Sequence, residues 1–265
     1  RVVFLAARTA VFLQILPNLA NDYGDSVHGA DHVARLGPQR AVQSGLIPAR
    51  AMRRAIALCA LLAVGSGLAL LWAAFGRDAW QFVLLFVGLG AAAIAAAVAY
   101  TNGKRPYGYV GLGDLFVLIF FGWVGVLGTY FLQAQALAWP LLLPATSCGL
   151  LAVAVLNVNN IRDIESDRLA GKQSIPVRLG PRRARVYHWL LLAAAVGTAV
   201  LYVLLAYRTP WQFLFVLALP LLWRNGTAVS GTTDPRRLNP LLKQLSLATL
   251  FFIVTFGVGQ LPGIP

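Results

Sequence analysis

The chain has 265 residues, of which 58% are hydrophobic and only 12% charged, with a mean hydropathy of +0.70. Soluble domains carry about 25% charged residues, so an ordinary soluble globule is excluded and an all-α, polytopic transmembrane helix bundle is expected. The net charge of +13 would suggest nucleic acid in a soluble protein, but its distribution here argues for membrane topology and against a nucleic-acid partner.

Long apolar runs lie near residues 2–20, 52–75, 80–101, 113–134, 139–161, 187–207, 211–224 and 241–261, most of them close to the ~20 residues that span a bilayer as helix. The 211–224 run is short, but Trp211 and Trp223 at its two ends have the character of interfacial anchors. The loops after the first, third, fifth and seventh runs carry 18 of the 22 lysines and arginines, against Arg77 and Arg208 in the intervening loops. By the positive-inside rule the first set faces the cytoplasm of a plasma or inner membrane. Cys59 and Cys148 fall inside apolar runs, where cysteine behaves as a small hydrophobe, and imply neither a disulfide nor a metal site.

The first run ends in LPNLANDYGDSVHGADHVARLGPQR. Asn21 and Asp25 are spaced i to i+4 and Asp22 and Asp25 i to i+3, so a helix continuing through here gathers all three on neighbouring faces. Asp31, Arg35 and Arg40 follow in a segment broken by Gly29, Gly37 and Pro38. Gln43–Arg54 forms a basic connector whose charge reads as topogenic, and the second and third runs after it are rich in Gly and Ala, lack ionisable groups and read as closely packed scaffold.

The loop Tyr100-Thr-Asn-Gly-Lys104-Arg105-Pro-Tyr107 places phenols and two cations at the level of the acidic clusters. Ordinary snorkelling at a span end accounts for such residues too. Asp114, just inside the fourth run, is costly in a membrane and needs a partner, for which Lys104 and Arg105 are at hand. The aromatics and glycines of the fourth run fit the lining of a lipid-shaped cavity or plain helix packing, packing being the simpler reading.

The fifth run leads into LNVNNIRDIESDRLAGKQSIPVRLG. On a continuing helix Asp163 and Asp167 share one face, with Asn159 or Asn160 one turn behind. Arg162, Arg168, Lys172 and Arg178 stand close by. The order of apolar helix, asparagines, spaced aspartates and basic residues repeats that of the first cluster and suggests a pseudo-repeat. The remaining runs are apolar, with Asp234 in a polar turn, and His28, His32 and His188 show no metal-ligand spacing and read as surface or interface residues.

Two acidic clusters and a Tyr/Lys/Arg loop are thus expected on one membrane face. Carboxylates crowded in a partly dry site repel one another by on the order of several kcal/mol per close pair, so a cation belongs there. Mg2+ suits oxygen ligands and is readily shared with substrate phosphates, while arginine and lysine take the remaining phosphate oxygens. With apolar walls, the ligand that fits is a diphosphate carrying a hydrocarbon tail. A cation-coupled transporter also uses intramembrane carboxylates, but has no need of basic residues beside each acidic cluster. Phosphotransfer from a CDP-alcohol is disfavoured because the long aspartate signature of that class is absent.

NDYGD (Asn21–Asp25), YTNGK (Tyr100–Lys104) and RDIESD (Arg162–Asp167) resemble, in order, the three signature regions of the UbiA-type intramembrane prenyltransferases. The longer stretches NLANDYGDSVHGADH, NGKRPYGYVGLGDLFVLIFFGWVGVLGTYFLQ and LNVNNIRDIESDRLAGKQSIPVRLG are similar to the branch of that family that acts on dihydroxynaphthoate in menaquinone synthesis. The general family pattern has a further Asp four residues beyond Asp25, where this chain has Gly29.

The resemblance implies one transmembrane prenyltransferase domain over residues 1–265, with eight of nine family helices present and the opening one lying before residue 1. It also implies Mg2+ held by Asn21, Asp22, Asp25, Asp163 and Asp167. Arg35, Lys104, Arg105, Lys172 and Arg178 would bind the diphosphate of a polyprenyl donor. Tyr100, Lys104 and Asp114 would serve catalysis, Tyr100 by steadying the leaving group or the cation and Asp114 by ordering the loop. Asn18, Asp31, Asn159, Asn160, Arg162 and Tyr107 are further candidates. The acceptor implied is 1,4-dihydroxy-2-naphthoate, with a quinone-, tocopherol- or chlorophyll-type aromatic acceptor as the alternative.

Overall fold

The computed structural model describes residues 1–27, 40–76, 79–103 and 105–261, and every regular element among them is helical. Among the described residues eight helical segments are long and apolar enough to cross a membrane: Val2–Val27, Ala49–Phe75, Trp80–Ala99, Gly113–Ala134, Trp139–Arg162, Ile175–Leu205, Pro210–Gly231 and Pro235–Gly259. Each apolar run of the sequence corresponds to one of them. The short 211–224 run becomes a full span because a 3-10 segment, Pro210–Ala218, leads directly into a helix, Leu219–Gly231.

The chain divides into two compact units. Unit 1 comprises Arg1–Gly113, Gly128–Leu137 and Ser166–Ser174. Its main pair is α1 (Val2–Val27) against α2 (Ala49–Phe75), with α3 (Trp80–Ala99) on both. Lipid offers no hydrophobic drive between helices, so small residues and interhelical hydrogen bonds hold them. Buried Ser66, set between Gly65 and Gly67 on α2, bonds the Thr9 hydroxyl at 2.8 Å and accepts from Arg8 Nε at 3.1 Å. Away from this seam, Phe75, Phe82, Phe86 and Phe131 close a ring cluster, the Phe82–Phe131 pair meeting edge-on at 4.9 Å.

Unit 2 comprises Asp114–Leu127, Ala138–Glu165 and Ile175–Pro265. Its core is α6 (Leu142–Arg162) against α8 (Ile175–Leu205). The buried positions of α8 recur every three to four residues, Ala184, His188, Leu191, Ala195, Ala199 and Val203, and present one narrow stripe. Its alanines leave carbonyls within reach of α6, so Ser147 donates to the Ala195 carbonyl at 2.7 Å and Asn157 to the Ala184 carbonyl at 3.2 Å. Helix α8 is broken at Gly180–Pro181.

The fourth span begins as α4 (Gly113–Val117) and winds as a π-helix over Leu118–Leu127 before α5 (Gly128–Ala134). Within unit 2 this π-segment lies directly on α6. A Cβ on Gly122 would come within 2.6 Å of the Ala145 carbonyl, and one on Gly149 within 2.9 Å of the Leu118 carbonyl. Trp123 Nε1 donates across the same seam to Thr146 at 3.0 Å. The glycines of this run are therefore packing residues, as their sequence context suggests.

Candidate active site

In unit 1, α1 runs unbroken through Asn21–Asp25, as the i, i+3, i+4 spacing requires. Gly24 lets that end dock onto the loop after α3. A Cβ there would stand 2.8 Å from Thr101 Cβ and 2.9 Å from Asn102 Nδ2. Thr101 donates to the Asn21 carboxamide oxygen at 3.2 Å, and Asn102 Nδ2 donates to the Ala20 carbonyl at 2.9 Å. The first and the YxxxK signature regions are thus held together by hydrogen bonds between their own residues.

The carboxylates of this helix end have different duties. Asp22 caps the turn that follows the basic segment, its two oxygens accepting from the amides of Ala41 and Val42 at 3.0 and 3.1 Å. Asp25 is buried; Oδ2 lies 2.7 Å from Arg40 Nη2 and Oδ1 accepts from the Tyr109 hydroxyl at 3.3 Å.

The second signature region contributes α7 (Ile164–Leu169) and the turn after it. Here Lys172 is the centre, with only 6% of its surface exposed. Its Nζ lies 3.3 Å from Asp167 Oδ1 and over the rings of Tyr100 and Tyr109, 6.0 and 5.9 Å from their centroids. Lys172 N donates to the Asp167 carbonyl and Gln173 N to the Tyr109 carbonyl, both at 2.8 Å. Burial works against the charge on Lys172, but Tyr100, Asp167, Asp25 and Tyr109 outweigh it and hold its pKa above the ordinary lysine value. The Tyr109 phenol is pushed up by burial and then by the Asp25 charge, and the Tyr107 phenol by burial and then by Tyr100. Tyr107 packs edge-on against Tyr100 at 5.4 Å.

In unit 2 the same signature region opens with the end of α6. The helix does not continue through Asp163, which takes φ −98° and ψ 11° as the C-cap, so the single face expected for Asp163 and Asp167 is not formed. Side-chain bonding favours the break. Arg162 turns onto its neighbour, with Nε to Asp163 Oδ1 at 2.8 Å and Nη2 to Oδ2 at 2.6 Å. The remaining donors reach Asn159 Oδ1 at 2.8 Å and Asn239 Oδ1 at 2.9 Å. Asn160 is buried, and its carboxamide oxygen accepts no hydrogen bond among the described residues.

Other expected residues sit apart from these groups. Asn18 is exposed and bonds the Gln14 carbonyl of its own helix. Arg105 is exposed and makes no ion pair among the described residues, and Arg178 is exposed as well. Asp114 is not partnered by Arg105; it accepts from the Tyr187 hydroxyl of α8 at 2.9 Å, a neutral donor supplied from within unit 2. Asp31, Arg35 and Lys104, like His28 and His32, lie outside the described residues. His188 is not a surface residue. It is fully buried, with Nε2 3.2 Å from Asn225 Oδ1.

Tyr109 and Tyr187 were not legible as site residues. Tyr109 falls within the stretch NGKRPYGYVG, but only the fold brings its hydroxyl to Asp25. Tyr187 has no local signal beyond being a polar group in an apolar run.

Among the described residues no three His, Cys, Asp or Glu side chains gather at metal-binding distance. The donor set nevertheless fits Mg2+ in kind. In unit 1 Asp25 and Asp167 are buried carboxylates; in unit 2 Asp163 is another, and the Asn160 oxygen is a buried acceptor of the neutral type that ion also takes.

Eight apolar helical spans among the described residues, with the buried carboxylates Asp25, Asp163 and Asp167 each paired with a lysine or arginine, define a multi-pass membrane protein. Residues 1–250 match the model of the UbiA prenyltransferase family, and the chain belongs to that family. It is 47% identical over 258 residues to the 1,4-dihydroxy-2-naphthoate octaprenyltransferase of Escherichia coli (strain K12), covering 97% of this chain and 83% of that protein. The proteins of the same name from Haemophilus influenzae and Mycobacterium tuberculosis are 44% and 40% identical, over 99% and 93% of this chain and 84% and 80% of theirs. No solved structure matches the chain.

Proposed function

We propose that the protein transfers a polyprenyl group from polyprenyl diphosphate to 1,4-dihydroxy-2-naphthoate, with loss of diphosphate and CO2, to give demethylmenaquinone. The observation that carries the reading is the buried group around Lys172, Asp167, Asp25, Tyr100 and Tyr109, in a chain similar along nearly its whole length to enzymes named for that acceptor.

Mg2+, when bound, would neutralise the diphosphate and favour its departure. The residues proposed as metal ligands are Asn21, Asp25 and Asp167 of unit 1 and, as the resemblance implies, Asp163 of unit 2, where Asn160 offers a neutral oxygen. Asp22, engaged with two backbone amides, serves the turn instead. Lys172 supplies an ammonium to the diphosphate, and Lys104, Arg35, Arg105 and Arg178 supply further charge on the cytoplasmic side.

In the reaction the C1–O bond of the donor breaks and its electron pair leaves with the diphosphate. The ring carbon that bears the carboxylate forms the new bond to C1. The C–CO2 bond then breaks, its electron pair returns to the ring, and no net proton is consumed. Apolar helix walls keep water from the allylic cation, and the Tyr100 and Tyr109 rings offer it their faces. The whole chain acts as one prenyltransferase domain in the cell membrane, open to the cytoplasm.

The test is purified protein with Mg2+, labelled polyprenyl diphosphates of several lengths and a panel of aromatic acceptors, following prenylated product and carboxyl-labelled CO2. Prenylation of 1,4-dihydroxy-2-naphthoate with one CO2 per product is expected. Transfer only to a quinone-, tocopherol- or chlorophyll-type acceptor would move the assignment within the family, and ion-coupled uptake without transfer would overturn it.

A further inference from the structure

We infer that Lys172 and a divalent cation are alternative partners of the Asp25 and Asp167 carboxylates, so that Lys172 makes metal and diphosphate bind as a pair. The inference rests on the prenyl-transfer reading and gives Lys172 a positioning role beyond holding the leaving group.

A lysine at a span end ordinarily carries its charge out to water along its own stem. Lys172 does the opposite. Its backbone is fixed on both sides, by its own amide on the Asp167 carbonyl and by the next amide on the Tyr109 carbonyl, and its ammonium points inward to Asp167 beneath two tyrosine rings. Asp25 feels the same ammonium, and Tyr109 bridges the two, bonding Asp25 with its hydroxyl while its ring faces Lys172.

Charge then limits what else can enter. Among the described residues Asp25 is paired with Arg40 and Asp167 with Lys172, two carboxylates with two cations. A divalent ion that takes both carboxylates leaves the two cations as an excess of two positive charges; one of them, Arg40, keeps some access to solvent, and the other must turn away. Lys172 is the one to go, because its 3.3 Å contact is longer than the 2.7 Å contact of Arg40 and its ammonium sits on a flexible stem. Once withdrawn it is a buried cation in want of an anion, and the diphosphate is that anion. Metal alone and diphosphate alone each leave a charge unmatched, whereas together they match it. Such coupling is reciprocal and typically about 5- to 150-fold.

The test is direct Mn2+ binding, by the loss of the free-ion paramagnetic resonance signal, to the purified full chain, to Lys172→Met and to Lys172→Arg. Binding of the preformed Mn2+–pyrophosphate complex is measured by calorimetry on the same proteins. Lys172→Met is expected to bind Mn2+ alone about tenfold more tightly than the parent, and to lose most of the parent's gain from Mn2+ to Mn2+–pyrophosphate. Lys172→Arg, which keeps the charge, is expected to stay near the parent in both. Lys172→Gln takes the place of the Met variant if that protein does not purify folded. Unchanged or weaker Mn2+ binding by the uncharged variant overturns the exchange while leaving the prenyl-transfer reading standing. Failure of parent and variants alike to bind Mn2+ overturns the exchange and the metal assignment together.

Discussion

The hydroxyl of Tyr109 donates to Asp25 across 84 residues of chain, at 3.3 Å, and the ring of the same tyrosine covers the ammonium of Lys172 at 5.9 Å. One side chain thus joins the first signature region to the second. Tyr109→Phe keeps the ring and removes one hydrogen bond to a charged group, worth about 1.5–3 kcal/mol. Steady-state kinetics should give a KM for the prenyl diphosphate raised roughly tenfold, with kcat much less affected. Tyr109→Leu, which also removes the ring, should lower kcat as well. Equal kinetics for Phe and Leu variants would remove the ring from the mechanism.

Asp25 and Asp22 are three residues apart on one helix, but their contacts assign them opposite effects. Asp25→Asn loses the charge that faces Arg40 and Lys172, and turnover should fall roughly 100-fold or more. Asp22→Asn keeps one oxygen to accept from the amides of Ala41 and Val42. It should retain activity within about tenfold and show its effect in thermal unfolding, where weakening such a cap costs about 1 kcal/mol. Activity measured beside a detergent melting curve separates the two, and an inactive but fully stable Asp22→Asn would return Asp22 to the metal site.

The division of labour between these aspartates marks where sequence reading stops. Hydropathy and loop charge are local properties, so the eight spans and the helical course of Asn21–Asp25 follow from residues close together in the chain. Which cation meets which carboxylate depends on packing between distant segments. Arg40, Tyr109 and Tyr187 become partners of Asp25 and Asp114 only through that packing. The break at Asp163 was hidden for a related reason. Spacing assumes a continuing helix, whereas the side chain of Arg162 bonds its immediate neighbour and the helix ends there.

Arg162 lies buried with each of its three nitrogens hydrogen-bonded, in a fork on Asp163 and single bonds to Asn159 and Asn239. Removing one member of a buried pair leaves a charge uncompensated and costs about 3–5 kcal/mol. Arg162→Met should therefore unfold at a markedly lower temperature in detergent. Asp163→Ala should lose turnover and stability together, unlike Asp25→Asn, whose partner Arg40 retains some access to solvent. A melting temperature for Arg162→Met within a degree or two of the parent would show that the fork carries little stability.

Gly24 tests whether the first two signature regions must touch. Its missing Cβ is what admits Thr101 and Asn102 to the end of α1, and an added methyl would stand 2.8 Å from Thr101 Cβ. Overpacking of this kind costs about 1–3 kcal/mol, which a helix also held at Arg8 and Thr9 by Ser66 can survive. Gly24→Ala should accordingly remain folded while the Thr101 bond to Asn21 is lost. Turnover should then fall by a larger factor than the small loss in melting temperature explains. The crowded atoms are Thr101 Oγ1 and Cβ, which serine keeps, so Thr101→Ser in the Gly24→Ala background should recover none of the activity. If Gly24→Ala is as active as the parent, the docking of α1 onto the Tyr100–Gly103 turn is not required for the reaction.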